Sequence, residues 1–302
     1  MPAPPDAGVR SAAFQWLAEQ TALHGEVLPW SLLLAGLTIQ GERVPLVSQQ
    51  GIFKPRLCAL PLSIRTSPGG PYADAFSSDG LLLYSYRGTD LLHRENVGLR
   101  EAMRLSVPLV YLYGHLPGRY HVTWPVFVVG DDPRRLTFTV AAHADREMGP
   151  DAWPTAAYQV AERRYATLEV RHRLHQAGFR EQVLAAYREQ CALCRLRHRE
   201  LLDAAHIIGD TDPLGEPAVS NGLSLCKLHH AAYDRDILTV DPDYRIVIRR
   251  DVLDEHDGPM LKHGLQELHG RRIVPPRRAD LRPSPDLLAL RLERFLAAGA
   301  GR

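Results

Sequence analysis

The chain lacks the features that would place it in or across a membrane. Its 302 residues contain no apolar run of about eighteen, the length that a membrane-spanning helix requires. The first ten residues, MPAPPDAGVR, lack the basic stretch and the following apolar segment of a secretory signal. We therefore expect a cytoplasmic protein without membrane contact.

The chain also has little net charge and little lysine. The formal net charge is +1, and the 36 basic residues include only three lysines, at positions 54, 227 and 262. This balance excludes a strongly basic protein that coats DNA, although a local basic patch could still bind phosphates. Guanidinium groups suit phosphate and guanine contacts, but an arginine bias is more often a sign of a GC-rich genome.

Cysteine is scarce, and its four positions are unevenly distributed. Cys58 stands alone in an apolar run, PRLCALPLSI, and is expected to be a small buried residue. The other three cysteines lie together in the C-terminal half, with a histidine at a matching spacing. In a cytoplasmic chain such a cluster indicates metal binding rather than disulfide bonds.

The order of the expected elements predicts an α+β protein. Ser11 is the expected N-cap of a helix over residues 11–24. Over residues 30–132, short apolar runs such as SLLLAGLTI, LLLYSY, LVYLYG and YHVTWPVFVVG predict strands of a curled sheet or barrel, interrupted by one helix near NVGLREAMRL. Helical patterns return over residues 155–190, and a last helix is expected after Ser284.

The length suffices for two domains that each bury a core. We place the N-terminal domain at residues 1–150, a helical linker at 151–190 and the C-terminal domain at 191–302. A segment rich in proline and glycine precedes the predicted linker.

Two matched pairs of metal ligands mark the C-terminal domain. Cys191 and Cys194 form a CxxC pair, and Cys226 and His229 form a CxxH pair about thirty residues later. Three thiolates and one imidazole are the ligand set of a closed, structural zinc site. Such a site supplies folding energy to a short ββα unit that cannot bury enough core.

Three further polar residues stand in and beside this framework. His206 lies in an AAHII run, Asn221 follows, and His230 comes directly after the last zinc ligand. This order resembles the HNH (ββα-metal) nuclease motif. The resemblance implies that His206 is the general base, that Asn221 ties two strands so that His206 points correctly, and that His230 binds a catalytic Mg²⁺ or Mn²⁺.

One position departs from the HNH pattern. Many such enzymes carry Asp or His directly before the general base as a second metal ligand, and here that residue is Ala205. Asp203 lies on the same strand face by alternation and is the expected replacement, unless it is only a strand-end charge. Asp234 either orients His230 as a hydrogen-bonded carboxylate or caps a turn.

The N-terminal half carries a second resemblance. It contains GIFKP, LSIRTSPGGPYADAF, LLYSYRGTD, ENVGLREAM and YHVTWPVFVV in that order. Over residues 40–132 these resemble the SRA (SET- and RING-associated) domain, a PUA-like β-barrel that binds DNA containing 5-methylcytosine. The resemblance implies base flipping, with Tyr72 and Tyr86 sandwiching the base and Asp74 accepting its N4 amino proton.

Three basic residues of this half are candidate phosphate contacts, namely Arg87, Lys54 and Arg65. For the base-binding residues a structural alternative stays open. Each aromatic ring could be a half-buried barrel residue, and Asp74 could be only a turn former.

An SRA-like reader joined to an HNH module resembles a modification-dependent restriction endonuclease. It would act on double-stranded DNA that carries 5-methylcytosine or 5-hydroxymethylcytosine. Because one HNH module usually nicks one strand, we expect a homodimer. Two alternatives remain: an HNH nuclease that reads a different mark, and a non-enzymatic modified-DNA-binding protein with a degenerate HNH module, for which Ala205 is the only support.

Overall fold

The chain divides into two compact units, Met1–Ala177 (unit one) and Gly178–Arg302 (unit two). The residues that the computed structural model describes are 6–67, 75–77, 81–143, 160–256 and 258–299. The predicted domain boundary at residue 150 lies outside them. No helix within these ranges is both long and apolar enough to cross a membrane.

The described ranges contain eight α-helices and fourteen strands. The helices are α1 (Ala7–His24), α2 (Trp30–Ala35), α3 (Arg94–Arg104), α4 (Val160–Ala186), α5 (Lys227–Asp234), α6 (Arg250–Asp254), α7 (Pro259–Gly264) and α8 (Pro285–Gly299). The strands are β1 (Val27–Pro29), β2 (Leu37–Ile39), β3 (Glu42–Val44), β4 (Ile52–Phe53), β5 (Ser63–Thr66), β6 (Ala75–Phe76), β7 (Leu82–Ser85), β8 (Leu109–Leu116), β9 (Arg119–Asp132), β10 (Thr137–Ala142), β11 (Leu202–His206), β12 (Gly222–Cys226), β13 (Leu238–Val240) and β14 (Ile246–Ile248).

A curled half-barrel sheet of eight strands forms the body of unit one. Its strands follow the order β4, β5, β8, β9, β10, β7 and β6, and β1 pairs with β9 outside this path. Among its described strands, only β5 and β8 run parallel. The long strand β9 pairs with β1, β8 and β10 along its length. The predicted curled sheet is confirmed, whereas its assignment to the SRA family stays a prediction.

Both faces of this sheet are buried. In β8, Leu109 and Tyr111 belong to one apolar cluster, and Val110 and Leu112 belong to another, because successive side chains of a strand point to opposite faces. Residues of α3 and α4 contribute to the first cluster and residues of α1 to the second. This two-sided burial explains why the strand is a continuous apolar run rather than an alternating one.

The start of α1 is set by a buried ion pair. The Arg10 guanidinium is fully buried and donates to the Asp6 carboxylate at 3.1 and 2.9 Å. It also donates to two backbone carbonyl oxygens from elsewhere in unit one, at 2.9 and 2.8 Å. Because Asp6 is fixed in this way, the helix begins at Ala7, and the predicted N-cap at Ser11 is wrong.

Residues 31–39, predicted as one strand, form most of helix α2 and then strand β2. Gly36 separates them with a φ of +63°, and a Cβ there would lie 2.1 Å from the Val44 carbonyl oxygen. The sequence could not decide this point, because a short buried helix and a buried strand share the same apolar composition.

The segment predicted as a helical linker contains the long helix α4. Its residues Val170 and Leu174 lie in a core cluster of unit one, whereas Phe179 and Val183 lie in the core of unit two. The helical character predicted for this segment is confirmed over Val160–Ala186.

Unit two is organised around two antiparallel strand pairs. β11 pairs with β12, with Leu202 opposite Cys226 and His206 opposite Gly222, and β13 pairs with β14. Helix α5 follows β12 without a connecting residue, so that β11, β12 and α5 form a ββα unit. Leu288 of α8 contributes to the same apolar core, and this helix begins at Pro285, as predicted.

Candidate active site and metal cluster

The four side chains predicted to bind a structural metal converge on one point. The ligand atoms of Cys191, Cys194, Cys226 and His229 all lie within 4.8 Å of one another. His229 Nδ1 is 3.4 Å from the Cys191 sulfur and 3.2 Å from the Cys226 sulfur. The other ring nitrogen, Nε2, is 2.8 Å from the Gly264 carbonyl oxygen, which keeps Nδ1 turned toward the sulfurs.

The chemistry of this donor set suits a metal ion. Hydrogen bonds with Cys191 and Cys226 raise the pKa of Cys194 far above its usual range, because closely spaced sulfurs resist further negative charge. A bound cation removes that resistance and allows all three groups to bind as thiolates. This cluster could therefore hold a metal ion.

Local backbone hydrogen bonds place the two ligand pairs. The Cys191 carbonyl oxygen accepts from the Arg195 N–H at 3.0 Å, which closes the turn that carries the first pair. The Ala192 N–H donates to the Ser224 carbonyl oxygen at 2.7 Å and so fastens this turn to β12. The second pair straddles the junction at which β12 ends at Cys226 and α5 begins.

His206 is the last residue of β11, and its ring lies flat against Phe179 of α4. The ring centroids are 3.9 Å apart and the planes differ by 13°. Burial lowers the pKa of His206 because it disfavours the charged ring; the nearby Asp210 opposes this effect and His230 adds to it. The Nε2 atom is buried without a hydrogen-bond partner among the described residues.

Gly222 lies opposite His206 in the strand pair and leaves room for this stacking. A Cβ at position 222 would lie 2.5 Å from Val183 Cγ2 and 3.0 Å from Phe179 Cζ. The Tyr187 hydroxyl group donates to the Gly222 carbonyl oxygen at 3.2 Å. Helix α4 therefore packs directly on the backbone of β12 at this point.

Asn221 joins the segment after β11 to the start of β12. Its side-chain oxygen accepts from the Ile208 N–H at 2.9 Å, and its side-chain nitrogen donates to the Ile208 carbonyl oxygen at 2.9 Å. The same nitrogen donates to the Glu216 carbonyl oxygen at 2.9 Å. The Ile207 N–H donates to the Asn221 backbone carbonyl oxygen. These bonds constrain the backbone immediately after His206.

His230 lies between two carboxylates. Its Nδ1 atom is 3.6 Å from Asp203 Oδ2, and its Nε2 atom is 3.4 Å from Asp234 Oδ2. The interaction with Asp203 raises the pKa of His230, and the charge of Asp234 adds to this effect. Because the two carboxylates face opposite ring nitrogens, one of them could share an ion with His230 while the other orients the ring.

The side chain of Asp203 is held by cationic groups. Arg180 Nε is 3.4 Å from Oδ1, and the Lys227 ammonium group contacts Oδ2. Burial favours a higher pKa for Asp203, but interactions with His230 and Lys227 hold it well below its usual range. Ala205, which takes the place of a ligand in many HNH enzymes, is fully buried in the apolar core.

Four residues of this site were missed in the sequence: Phe179, Arg180, Gly222 and Lys227. Phe179 and Arg180 lie in α4, and no local pattern connects them with the HNH segment. Gly222 and Lys227 do stand next to predicted residues, Asn221 and Cys226. This position next to predicted site residues was the only feature of the sequence that could have identified Gly222 and Lys227.

Of the three base-binding residues predicted for unit one, Tyr86 is the one that lies among the described residues. Tyr72 and Asp74 lie outside the described residues. Tyr86 is only 1% exposed and stacks on Phe138, with ring centroids 4.4 Å apart, while its hydroxyl group accepts from Arg100 at 3.1 Å. The ring has no free face for a flipped base, and we correct this prediction: Tyr86 is a core residue of the sheet.

The three predicted phosphate contacts differ in accessibility. Arg87 is exposed, and Asn96 holds its backbone through bonds to the Arg87 N–H and carbonyl oxygen at 2.8 and 3.1 Å. Lys54 is also exposed. Arg65 is half-buried, with its guanidinium carbon 5.1 Å from the centre of the Trp30 ring.

Removal of the cluster metal should unfold unit two. A structural metal with such ligands contributes about 10–16 kcal/mol in small domains, as much as the whole stability of an ordinary domain. We expect the Cys226→Ser variant to lose the bound metal and the folded structure of unit two, and chelation of the native chain to have the same effect. Elemental analysis measures the metal, and circular dichroism measures the folded structure. Cys58→Ala is the control that retains the metal; a folded, metal-free unit two would contradict the assignment.

A side chain at position 222 should displace Phe179 from His206. We expect Gly222→Ala to destabilise unit two by about 1–3 kcal/mol, the usual cost of overpacking a core. Chemical denaturation measures the change. Gly209→Ala is the matched control, because a Cβ there meets no atom within 4 Å; equal stability of the two variants would show that α4 does not press on β12.

Comparison with known proteins identifies the C-terminal module. Residues 191–241 match the HNH endonuclease family HNH_2. This range contains all four ligands of the metal cluster together with His206, Asn221 and His230. No curated protein sequence matches the chain.

The solved structures that are similar to the chain include two restriction endonucleases. The first is a modification-dependent TagI restriction endonuclease, with 15% identity, 78% of this chain and 81% of that chain covered, and a TM-score of 0.30. The second is the type IV phosphorothioation-dependent restriction endonuclease ScoMcrA, with 15% identity, 83% of this chain and 56% of that chain covered, and a TM-score of 0.27. Scores of this size do not establish a common fold. The family match stands independently of them: the chain carries an HNH endonuclease domain and is a metal-dependent DNA endonuclease.

Proposed function

We propose that the chain is a modification-dependent restriction endonuclease. Unit one reads 5-methylcytosine or 5-hydroxymethylcytosine in double-stranded DNA, and unit two hydrolyses the phosphodiester bond. The observation that carries the cutting function is the placement of His206, Asn221 and His230 on one ββα unit beside the Cys₃His cluster. The reading function rests on the order of the motifs over residues 40–132.

His206 is the general base of the proposed reaction. A neutral imidazole can take the proton of the attacking water, and the depressed pKa keeps the ring neutral at pH 7. The contact with Phe179 fixes the plane of the ring, while the hydrogen bonds of Asn221 fix the backbone that follows it.

Asp203 and His230 are the proposed ligands of Mg²⁺ or Mn²⁺. Their oxygen and nitrogen atoms are donor types that these ions accept. The bound ion supplies charge neutralisation at the phosphate and at the leaving 3′ oxygen. We favour Asp203 over Asp234 as the ligand because its side chain is 23% rather than 58% exposed and lies on the strand of His206. Asp234 then orients the His230 ring through Nε2.

Zinc is the proposed occupant of the Cys₃His cluster. Three sulfurs and one imidazole nitrogen satisfy a tetrahedral ion completely, which leaves no position for a substrate. The proposed role of the cluster is therefore structural, and His206 and His230 are the residues that act in DNA cleavage.

The proposed base pocket rests on the segment that contains Tyr72 and Asp74. These two residues belong to the PYAD motif of the resemblance over residues 40–132. We propose that the Tyr72 ring stacks on the flipped cytosine and that Asp74 accepts a hydrogen bond from its N4 amino group. The cavity that Phe76, Tyr111 and Thr123 help to line leaves room for about one water molecule and is too small for this base.

Contacts with the DNA backbone complete the proposal. Arg87 is suited to bind a phosphate, because its side chain is exposed on a backbone that Asn96 holds in place. One HNH module cuts one strand, so a double-strand break requires two modules. We therefore propose that the chain acts as a homodimer.

Digestion of matched plasmids tests both halves of the function. Unmodified, 5-methylcytosine and 5-hydroxymethylcytosine plasmids are incubated with the chain and Mg²⁺ or Mn²⁺, and the ends are mapped. We expect cleavage of at least one modified plasmid and none of the unmodified one. Absence of cleavage on every plasmid would overturn the endonuclease assignment, whereas equal cleavage of all three would leave a nuclease that reads something else.

A variant at Asp74 tests the proposed base pocket in the same assay. Asp74→Ala should abolish the preference for modified DNA, because the N4 amino group loses its acceptor, while the Cys₃His metal stays bound. Arg104→Ala is the control, since Glu101 on the exposed face of α3 is the one ion-pair partner of Arg104 among the described residues. An Asp74→Ala enzyme with unchanged preference would favour a different mark or a different pocket.

The proposed role of His206 predicts a particular pH profile. His206→Ala should lower kcat by at least about 100-fold, the usual contribution of a general base, and leave DNA binding intact. At saturating metal, the native rate should stay level from alkaline pH down to about pH 6.5 and fall only below it, because burial depresses the pKa of this base. A rate that already falls between pH 8 and 7 would contradict a buried imidazole base.

A further inference from the structure

Lys227 occupies an unusual position in the proposed metal site. It is the first residue of α5, directly after the ligand Cys226. Its ammonium group contacts Asp203 Oδ2, and the same oxygen is 3.6 Å from His230 Nδ1. Two ligand atoms that share one Mg²⁺ at about 2.1 Å each lie roughly 3–4 Å apart. Lys227 therefore binds the oxygen atom that an ion shared with His230 would use.

We propose that Lys227 is a positioning residue that exchanges partners during the reaction: it neutralises Asp203 until a divalent cation binds, and then moves to the DNA phosphate. This inference rests on the proposed role of Asp203 and His230 as metal ligands. An ammonium group and a divalent cation repel each other strongly at one oxygen in a partly buried site. Binding of the cation consequently displaces the ammonium group.

The two cations at Asp203 are not equally free to move. Arg180 is anchored by hydrogen bonds to the carbonyl oxygens of Leu202 at 2.7 Å and Arg199 at 3.4 Å, and it holds the other carboxylate oxygen, Oδ1. The Lys227 side chain is 58% exposed and makes no other hydrogen bond or ion pair in the described structure. Arg180 thus keeps Asp203 oriented, and Lys227 is the group that leaves.

The displaced ammonium group has an acceptor in the DNA. The scissile phosphate would approach the same ion. From position 227, the lysine side chain is long enough to reach an oxygen of that phosphate. A phosphate oxygen offers a charge-assisted hydrogen bond in place of the lost carboxylate. Lys227 in this way weakens metal binding before DNA arrives and strengthens phosphate binding afterwards.

Metal affinity measured without DNA tests the first half of the inference. Mn²⁺ binding is followed by electron paramagnetic resonance in the native chain and in Lys227→Met, which keeps the length of the side chain and removes its charge. We expect about tenfold tighter Mn²⁺ binding in the variant, because a like charge has been removed from the ligand. Lys262→Met, an exposed lysine in the same unit, should leave the affinity unchanged. Unchanged or weaker binding in Lys227→Met would overturn the proposal.

DNA binding and cleavage test the second half. In Ca²⁺, where DNA is bound but we expect no cleavage, the dependence of log Kd on log salt should lose about one unit of slope in Lys227→Met, as expected for one lost phosphate contact. At saturating Mg²⁺ the same variant should cut at least about tenfold more slowly, because the phosphate contact is absent. An unchanged slope together with an unchanged kcat would overturn the transfer to phosphate.

A further variant separates this inference from the proposed function. His230→Ala should abolish the Mn²⁺ site while the cluster metal and the fold of unit two persist. If the native chain itself shows no Mn²⁺ site that depends on His230, the proposed ligand set fails. If that site exists and Lys227→Met does not tighten it, only the role of Lys227 fails.

Discussion

The Cys₃His cluster is the constraint on which the geometry of unit two depends. Two of its ligands lie in the turn before β11, and the other two lie where β12 ends and α5 begins. A metal bound there fixes the starting point and direction of α5. Lys227 directly follows Cys226, and His230 directly follows His229, so both side chains are directed toward Asp203 on β11. The Cys₃His cluster thus sets the position of the side chains that we propose as ligands of a second, catalytic ion.

The two histidines of the site acquire different properties from their neighbours. His206 lies against an aromatic ring, and burial keeps its pKa low enough for a base. His230 lies between Asp203 and Asp234, and interaction with these carboxylates raises its pKa. The difference does not come from the residue type. It comes from Phe179 beside His206 and from the two carboxylates beside His230.

The sequence predicted the metal-binding residues of the cluster better than the residues that pack around the site and hold it in place. The cluster ligands were found because thiolate and imidazole chemistry requires fixed residue types at fixed spacings. Helix α3 and the longer strands followed from local pattern. In contrast, the contact of Phe179 with His206 and the tight approach at Gly222 depend on how α4 packs, which no local pattern encodes. Tyr86 was misjudged because its burial depends on the sheet face that it occupies. Ser11 was misjudged because the Arg10 guanidinium that holds Asp6 is itself held by carbonyl oxygens far along the chain.

The hydrogen bond from His229 to Gly264 affects how much of the chain a fusion enzyme would have to include. The family match ends at residue 241, yet the histidine ligand depends on a carbonyl oxygen 23 positions beyond that limit. Arg291 of α8 likewise donates to the Tyr233 carbonyl oxygen at 2.6 Å, and Phe179 precedes the match. A fusion enzyme built from residues 191–241 alone would carry the proposed catalytic side chains without these contacts. Such a fusion should therefore extend at least from Phe179 to Arg291, so that the contacts of Phe179, Gly264 and Arg291 are kept.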